Sequence, residues 1–357
     1  LQALIVFANV LSIYNKATAS YQRVFEVLET TPQVEDQGSY STLIPNGKMI
    51  EFKDVNFGYL QKDVLHNLSF TINKGETVGL IGGTGAGKST LVSLIGRNYD
   101  VRSGQIKIAG KNIQDYKLET LRQHISYVLQ NTSLISGTIK ENICMSKPYQ
   151  EETMNKALEV SQAKEFVSRL PQGIESAVVQ GGKNFSGGQR QRIGIARALI
   201  MNPDLIIADE AISALDVSIQ AQVVNLMKKI QKETGIAYLF IAHDLSMVKY
   251  ISDKIGVLHL GHLVETGTTE EIFDNPIHPY TKSLLSAIPH PNPRVEKVRK
   301  SFTYDYKESG VDYTKGTEHL VDGTHYVLAT DEEFEKWTKK SRKLWGELIG
   351  CSDSAYM

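Results

Sequence analysis

The stretch Gly82-Gly83-Thr84-Gly85-Ala86-Gly87-Lys88-Ser89 decides the fold of this chain. It follows residues Thr77 to Ile81, an apolar run typical of a buried strand, and it precedes a helical run that begins near Thr90. The glycines let backbone N–H groups turn toward an anion, and the following helix directs the positive end of its dipole to the same place. Lys88 adds a mobile positive charge, and Ser89 adds a hydroxyl suited to Mg²⁺. The sequence therefore predicts a strand–loop–helix site for phosphate groups.

A second apolar run ends in two acidic residues. Leu205 to Ala208 is typical of a buried strand, and Asp209 and Glu210 follow it directly. Because the carboxyl ends of parallel strands meet at one edge of a sheet, we expect these acids beside the phosphates. Asp209 is then expected to bind Mg²⁺ through water, and Glu210 to act as general base on an attacking water. Without the phosphate-binding loop, the same two acids would indicate only a solvated strand end.

The composition is that of an ordinary globular protein and argues against several classes. Of the 357 residues, 41% are hydrophobic and 22% are charged, which argues against wholesale disorder. The 39 Lys and Arg residues balance 40 Asp and Glu residues, so no basic excess indicates a nucleic-acid partner. The two cysteines, Cys144 and Cys351, are too few for a four-cysteine zinc site or a cysteine-ligated iron–sulfur cluster. They fit a reducing cytosol.

The amino-terminal residues suit one long helix. Leu1 to Glu29 contain neither Gly nor Pro, and Thr30-Thr31-Pro32 ends the pattern. The apolar part is shorter than the roughly 20 residues that a membrane span needs. We expect either the apolar face of an ordinary helix or the cytoplasmic end of a spanning helix. Because residue 1 is Leu and not Met, the sequence is expected to begin inside a longer chain.

A third motif, Ser186-Gly187-Gly188-Gln189-Arg190, lies 98 residues beyond Lys88. Together with the two earlier features it resembles the signature of ABC-type ATPases. Other motifs of that family follow in its usual order: an adenine-stacking aromatic, a Q-loop glutamine, a D-loop and a switch histidine. The residues at those positions are Tyr59, Gln130, Ser213 to Asp216, and His243. Alone, Tyr59 and His243 would be read as core residues and Gln130 as a strand-end amide, so their positions relative to the loop carry the assignment.

The resemblance covers roughly Lys48 to Pro289 and implies a fold. That fold is an α/β P-loop NTPase with a RecA-like parallel sheet core, an antiparallel β subdomain and an α-helical signature subdomain. It also implies three parts. Residues 1–45 would be a helix and linker at the end of an exporter-type membrane domain, residues 46–290 the ATP-binding domain, and residues 291–357 a carboxyl-terminal extension of oligopeptide-importer type.

The resemblance also implies the roles of individual residues. The expected catalytic residues are Glu210, His243 and Gln130, and the expected Mg²⁺ ligands are Ser89, Gln130 and Asp209. The expected ATP-binding residues are Tyr59, Gly82, Gly83, Thr84, Gly85, Ala86, Gly87, Lys88, Ser89, Thr90, Ser186, Gly187, Gly188, Gln189 and Asp216.

Partners and location follow from the same resemblance. The signature segment of a second ATP-binding domain, in a homodimer or a heterodimer, is expected to close over ATP, with Ser186, Gly188 and Gln189 donating to phosphate and ribose groups. Hydrolysis would then drive membrane-spanning permease subunits from the cytoplasmic face of the cell membrane. No nucleic-acid partner is expected.

The two halves of the chain resemble different branches of the family. Leu134 to Ile143 looks like an exporter ATPase, whereas Asn275-Pro276-Ile277-His278-Pro279-Tyr280-Thr281 looks like the start of the extension of an oligopeptide importer. Ala211 stands where an importer is expected to have proline. This mixture indicates a chimera joined between about Ser186 and Asp216, or else one natural branch with mixed features.

Three other functions stay open from the sequence. The chain could be the ATPase part of a multidrug or lipid exporter, a soluble ABC-type ATPase, or a non-functional composite. A chromosome-organising ATPase would need a long coiled coil between loop and signature, and 98 residues leave no room for one. The leading interpretation is an ATP-hydrolysing transporter subunit, with oligopeptides as the expected substrate.

Overall fold

The computed structural model describes residues 2–32, 34–44, 47–129, 132–145, 147–213, 216–288 and 302–348. They belong to two compact units, Leu1–Asp36 and Gln37–Met357.

The strands and helices are numbered along the chain. The strands are β1 (Lys48–Tyr59), β2 (Lys62–Asn73), β3 (Thr77–Ile81), β4 (Ser103–Ile108), β5 (Lys111–Asn112), β6 (Ile125–Leu129), β7 (Gly137–Thr138), β8 (Ala177–Val178), β9 (Leu205–Asp209), β10 (Ala237–Ile241), β11 (Lys254–His259), β12 (His262–Thr268), β13 (Thr317–Asp322) and β14 (His325–Ala329). The helices are α1 (Gln2–Glu29), α2 (Lys88–Ile95), α3 (Leu118–His124), α4 (Ile139–Cys144), α5 (Glu151–Val160), α6 (Lys164–Val167), α7 (Gly187–Leu199), α8 (Val217–Thr234), α9 (Leu245–Ile251), α10 (Thr269–Asp274), α11 (Pro279–Ser286), α12 (Tyr306–Ser309) and α13 (Asp331–Leu348).

The first unit consists mainly of the predicted long helix, α1. It has 28 residues, none of them buried, and Tyr21 stacks on Phe25 one turn further on. It ends before Thr31-Pro32, because the residue that precedes a proline is restricted to extended conformations. Within the described ranges, none of the helices combines the length and the apolar character that a membrane crossing requires.

A large mixed sheet forms the centre of the second unit. Among the described residues it has eight strands in the order β13-β14-β12-β11-β3-β10-β9-β6. The strands β11, β3, β10, β9 and β6 run parallel, and every residue of β3 and β10 is buried. Apolar runs of this kind need cover on both faces, which the surrounding helices and the second sheet provide. The predicted parallel α/β core is therefore confirmed.

An antiparallel sheet in the order β2-β1-β4-β5 packs against this core. Its long hairpin joins β1 to β2 at Tyr59 and Lys62, and Phe52 stacks on Phe70 across the two strands. The buried faces of both strands share one hydrophobic cluster with α2 and the parallel strands. The expected antiparallel β subdomain is confirmed.

The segment between β6 and β9 forms a mainly helical region with its own core. That core joins residues of α4, α5 and α7, and includes Leu134, Ile139, Ile143, Cys144, Met154, Leu158, Phe185 and Ile193. The residues from Glu151 to Val167 form two helices and not one, because α5 ends at Val160 and α6 begins at Lys164. Gln162 lies between them with a left-handed φ of 54°, which a continuing helix cannot accommodate.

The carboxyl-terminal hairpin extends the main sheet. β14 pairs with β12, and β13 pairs with β14. The buried carboxylate of Glu265 on β12 joins this hairpin to the rest of the sheet. It accepts hydrogen bonds from His325 Nε2 at 2.7 Å and from the backbone N–H groups of Ile277 and His278 at 2.6 and 3.0 Å. The expected division of the chain at residue 290 falls outside the described residues and stays a prediction.

We expect the folded state to lose stability in acid, because three histidines are buried or half-buried. Burial lowers the pKa of His278 to about 3, and burial lowers the pKa values of His259 and His262 to about 4. In an unfolded chain these groups have a pKa of about 6.5, so between pH 6.5 and about 4 the unfolded state binds more protons than the folded state. We expect the free energy of unfolding to be fully retained above pH 6.5 and to fall below it, by at most about 1.4 kcal/mol per pH unit for each histidine.

Urea unfolding at pH 7.5, 6.0 and 5.0 measures this loss. The variant His278→Asn should show a shallower decline with falling pH than the parent chain. A free energy of unfolding that does not change between pH 7.5 and 5.0 would contradict the prediction.

Candidate nucleotide-binding site

The phosphate-binding loop joins β3 to α2 as the sequence predicts. Gly87 caps α2 with a left-handed φ of 106°, and a Cβ there would lie 2.6 Å from Leu65 Cδ2. A Cβ on Gly82 would lie 2.2 Å from the carbonyl oxygen of Leu258. Glycine is therefore required at both ends of the loop, where the backbone turns tightly against β2 and β11.

Lys88 is buried at the start of α2, and its ammonium group folds back over the loop. Nζ donates hydrogen bonds to the carbonyl oxygens of Gly82 at 2.7 Å and Gly83 at 3.0 Å. Burial lowers the pKa of Lys88, while the nearby carboxylates of Glu210 and Asp209 raise it. Lys88 therefore lies in a partly desolvated site, where a positive charge acts strongly on a bound anion.

The two predicted acids end β9 beside this loop. Burial and the neighbouring carboxylate of Glu210 raise the pKa of Asp209, while Lys88 and His243 lower it. Glu210 has a left-handed φ of 50°, and its backbone N–H donates to the carbonyl oxygen of Ile241 on β10. A non-glycine residue with a left-handed backbone is uncommon, and such strain often occurs at functional sites.

His243 follows β10 and faces Glu210. Its Nε2 lies 2.5 Å from Oε1 of Glu210, and its side chain is 51% exposed, against 26% for the glutamate. The histidine is therefore the more exposed member of the pair, and its ring contacts the carboxylate of Glu210.

A cavity of about 260 Å³ brings most of the predicted residues together. It is lined by Val64, Thr84, Gly85, Ala86, Gly87, Lys88, Ser89, Thr90, Asp209, Glu210 and His243. Gly82 and Gly83 are not among these lining residues; their carbonyl groups hold Lys88 instead. The cavity has the polar lining, the cation and the helix amino terminus that a polyphosphate needs.

Tyr59 lies at the end of β1, next to the helix that carries the loop. Its hydroxyl is 3.4 Å from Thr90 Oγ1, and its ring meets Phe57 and Tyr99 edge-on. It is 39% exposed, so it is not a core tyrosine, and its expected stacking on adenine stays a prediction.

The signature motif begins α7. Ser186 Oγ accepts from the backbone N–H of Gln189 at 3.2 Å, and Gln189 Oε1 accepts from the N–H of Ser186 at 2.9 Å, which forms a capping box. Among the described residues, those that line the loop cavity include none of the signature motif. In one chain, therefore, the loop and the signature form two separate surfaces.

The expected Q-loop glutamine and part of the expected D-loop lie outside the described residues. Gln130 lies outside the described residues, as do Ala214 and Leu215 of the expected D-loop. Asp216 is described, and it precedes α8 without capping it through its side chain. The roles of these residues stay predictions.

Sequence reasoning missed three contacts with the loop. Val64 of β2 lines the cavity, the N–H of Gly261 donates to the carbonyl oxygen of Ala86, and the hydroxyl of Tyr280 accepts from the N–H of Gly83. Val64 could have been suspected from the strand alternation of β2. The sequence pattern marks Tyr280 only as part of the importer-like motif from Asn275 to Thr281.

The fold and this site together define a class of protein. The phosphate-binding loop and the two acids meet at one sheet edge with a histidine that follows the neighbouring strand, while a capped signature helix lies apart from them, and this combination defines an ABC-type ATPase.

Comparisons with known proteins agree with that class. The family model described as ABC transporter matches residues 65–213, and the model described as the C-terminal region of oligopeptide/dipeptide transporters matches residues 264–306. The oligopeptide transport ATP-binding protein OppF of Streptococcus mutans is 43% identical over 305 residues, which cover 82% of this chain and 98% of that protein. OppF of Bacillus subtilis is 44% identical over 293 residues, which cover 76% and 92%. The dipeptide transport ATP-binding protein DppF of Lactococcus lactis is 40% identical over 306 residues, which cover 82% and 98%.

The chain therefore belongs to the ABC transporter family of ATP-binding proteins. It is an ATP-hydrolysing subunit of an ABC transporter.

A solved structure of a bacterial Atm1-family ABC exporter with ATP bound is also similar. It has a TM-score of 0.65 and 32% sequence identity, and the match covers 73% of this chain but only 46% of that one. The exporter structure and OppF each match more than two thirds of this chain, so the two matches share a large part of it. The expected chimera, with its two halves joined between Ser186 and Asp216, therefore stays a prediction.

Proposed function

We propose that this chain is the ATP-hydrolysing subunit of a transporter that imports oligopeptides. The observation that carries the proposal is the carboxyl-terminal match to the oligopeptide/dipeptide transporter region, joined to a cavity that brings the phosphate-binding loop and the two acids together. The relatives at 40–44% identity are named for oligopeptide or dipeptide transport.

ATP would bind with its phosphates in the loop cavity and its adenine on Tyr59. The backbone N–H groups from Gly85 to Ser89, the amino terminus of α2 and Lys88 would hold the phosphates. Glu210 would accept the proton of the attacking water, and His243 would keep that carboxylate in place. Electrostatic stabilisation by these groups would provide most of the rate enhancement.

The site also fits Mg²⁺. Two neighbouring carboxyl groups face the cavity, while the ammonium of Lys88 donates to loop carbonyl groups and not to them. Asp209, the hydroxyl of Ser89 and Gln130 would hold the ion. Bound there, Mg²⁺ would neutralise negative charge on the phosphate oxygens.

A second ATP-binding domain would complete the site. The exposed amino terminus of α7, with Ser186, Gly187, Gly188 and Gln189, carries N–H groups suited to a phosphate, and it lies apart from the loop cavity of its own chain. We infer that it closes over the ATP of a partner domain in a head-to-tail dimer, in which Asp216 also contacts the opposite site.

Contacts of α7 indicate how a movement of the permease would be transmitted to the signature motif. Thr132 Oγ1 hydrogen-bonds to Gln191 at 2.8 Å, and Arg197 donates to the backbone oxygen of Asn142 at 2.7 Å. Asn142 is fully buried, and its side chain holds Ile135 through two hydrogen bonds. The segment from Thr132 to Cys144 and α7 would therefore move together. We propose that this segment contacts membrane-spanning permease subunits at the cytoplasmic face of the cell membrane.

Export is the second candidate function. The similarity to the Atm1-family exporter structure and the exporter-like segment Leu134 to Ile143 favour it. The two candidates differ in the direction of transport, so one growth experiment and one efflux experiment separate them.

The test of import is growth on peptides. A bacterium that lacks its own oligopeptide ATPase subunit and requires an amino acid is given this chain and fed a tripeptide that contains that amino acid. We expect growth with the parent chain and none with Glu210→Gln. If the cells did not grow and instead lost a preloaded dye in an ATP-dependent manner, the proposal of import would be abandoned in favour of export.

A further inference from the structure

We propose that Tyr280 is a positioning residue for the phosphate-binding loop, and that it links the carboxyl-terminal segment to the affinity for ATP. The proposal rests on the ATPase function above and adds a residue to it. Tyr280 is buried on α11 and is not among the residues that line the cavity, so it acts through the loop.

One peptide group of the loop is held from two sides. The carbonyl oxygen of Gly82 accepts from Lys88 Nζ at 2.7 Å, and the N–H of Gly83, in the same peptide group, donates to Tyr280 Oη at 2.7 Å. The C=O and N–H of a trans peptide point in opposite directions. Lys88 and Tyr280 therefore lie on opposite sides of this peptide group, and a rotation of the group would break both hydrogen bonds.

Because Lys88 and Tyr280 bond the same peptide group, the position of the lysine depends on the tyrosine. Glycine at both Gly82 and Gly83 makes the peptide group between them easy to rotate, because neither residue has a Cβ to restrict it. The hydroxyl of Tyr280 removes that freedom. The loop is thereby preorganised to receive phosphates, and preorganisation raises affinity because less ordering is needed on binding.

The tyrosine is itself held by the carboxyl-terminal segment. Its ring stacks on His259 with the ring centroids 3.8 Å apart, and Nδ1 of His259 lies 2.6 Å from the hydroxyl of Tyr313. Tyr304 and Tyr306 meet the edge of the same imidazole, with centroids 5.8 and 5.9 Å away. Tyr313 is 4% exposed, so its hydroxyl–imidazole hydrogen bond is shielded from water.

A chain of contacts thus runs from Tyr313 through His259 and Tyr280 to Gly83. Burial lowers the pKa of His259 to about 4, so the imidazole is neutral at pH 7 and can share a hydrogen bond with the tyrosine without a charge. A change in the segment that contains Tyr304 to Tyr313 would reach the phosphate loop by this route.

The test uses Tyr280→Phe in the full chain. This variant keeps the ring on His259 and removes only the hydroxyl. We expect the KM for MgATP to rise about 3- to 10-fold, the range that one hydrogen bond provides, while kcat at saturating MgATP changes less than about 2-fold. The matched control is Tyr116→Phe, which loses a buried hydroxyl bonded to the carbonyl oxygen of Ile108 at 2.9 Å, away from the loop.

A second variant tests the link to the carboxyl-terminal segment. Tyr313→Phe should raise the KM in the same direction by a smaller factor, and it should add nothing in the Tyr280→Phe background, because both changes act on one contact chain. An unchanged KM in Tyr280→Phe, or an equal rise in Tyr116→Phe, would overturn the proposal. Additive effects of the two substitutions would overturn the link. If the parent chain itself failed to hydrolyse ATP, the ATPase function and not this inference would be at fault.

Discussion

The substitution Glu210→Gln is expected to reduce ATP hydrolysis at least about 100-fold while leaving nucleotide binding within about 2-fold of the parent chain. Glutamine keeps the shape of the side chain, and its oxygen can still lie near His243 Nε2, which is 2.5 Å from the carboxylate in this structure. It cannot accept the proton of the attacking water. Loss of a general base typically costs a factor of about 10² to 10⁴.

Phosphate release and binding of a fluorescent ATP analogue, measured on the same preparation, separate the two effects. Because ATP would no longer be consumed, the variant should also persist as an ATP-bound dimer on size exclusion. The matched control is Glu335→Gln, which makes the same change of charge at an exposed ion pair with Lys339. Hydrolysis by Glu210→Gln at the parent rate would show that another group takes the proton.

The parts of the site that could be predicted from the sequence are locally determined. The loop, its strand and its helix are contiguous, and the turn depends on glycines whose positions show directly in the sequence. Asp209 and Glu210 could be placed beside the loop because the parallel order of β3, β10 and β9 brings the ends of these strands to one edge.

The contacts that could not be predicted join distant parts of the chain. Tyr280 meets Gly83 across 197 residues, and no local pattern identifies a hydroxyl that will accept from a particular N–H. The hairpin of β13 and β14 was likewise not predicted, since the sequence after about residue 289 is polar and rich in tyrosine. β14 pairs with β12 at the edge of the main sheet, and its alternate residues His325, Val327 and Ala329 are buried on one face, where Val327 and Ala329 pack with Ile277 and Trp337.

The signature motif could be predicted from the sequence only in part. The pattern Ser-x-x-Gln at Ser186 and Gln189 is a capping box that can be read from the sequence, whereas the family resemblance assigns these side chains only as donors to a partner's nucleotide. In a single chain both side chains are used to begin α7. The capping bonds use Ser186 Oγ and Gln189 Oε1 only as acceptors, so the hydroxyl hydrogen of Ser186 and the Nε2 group of Gln189 can donate to ATP when the second domain closes.

The substitution Lys88→Ala is expected to weaken ATP binding about 10- to 100-fold. Lys88 is the cation that lines the cavity beside two carboxyl groups, so its removal leaves Asp209 and Glu210 to repel the phosphates. Charged hydrogen bonds contribute about 1.5–3 kcal/mol each, which corresponds to this range of affinity. The effect should exceed that of Tyr280→Phe, because the tyrosine only orients a peptide group whereas the lysine supplies the charge.

Titration of the fluorescent ATP analogue into the full chain measures this loss. The control is Lys228→Ala, which removes a lysine of α8 that does not line the cavity and that donates to the carbonyl oxygen of Tyr250 on α9. If Lys88→Ala retained the parent affinity, the loop would not be the phosphate site. If both lysine variants lost affinity equally, the loss would reflect overall charge. A loss confined to Lys88 would locate the triphosphate in the cavity between α2 and the end of β9, since that is where the lysine and the two carboxyl groups meet.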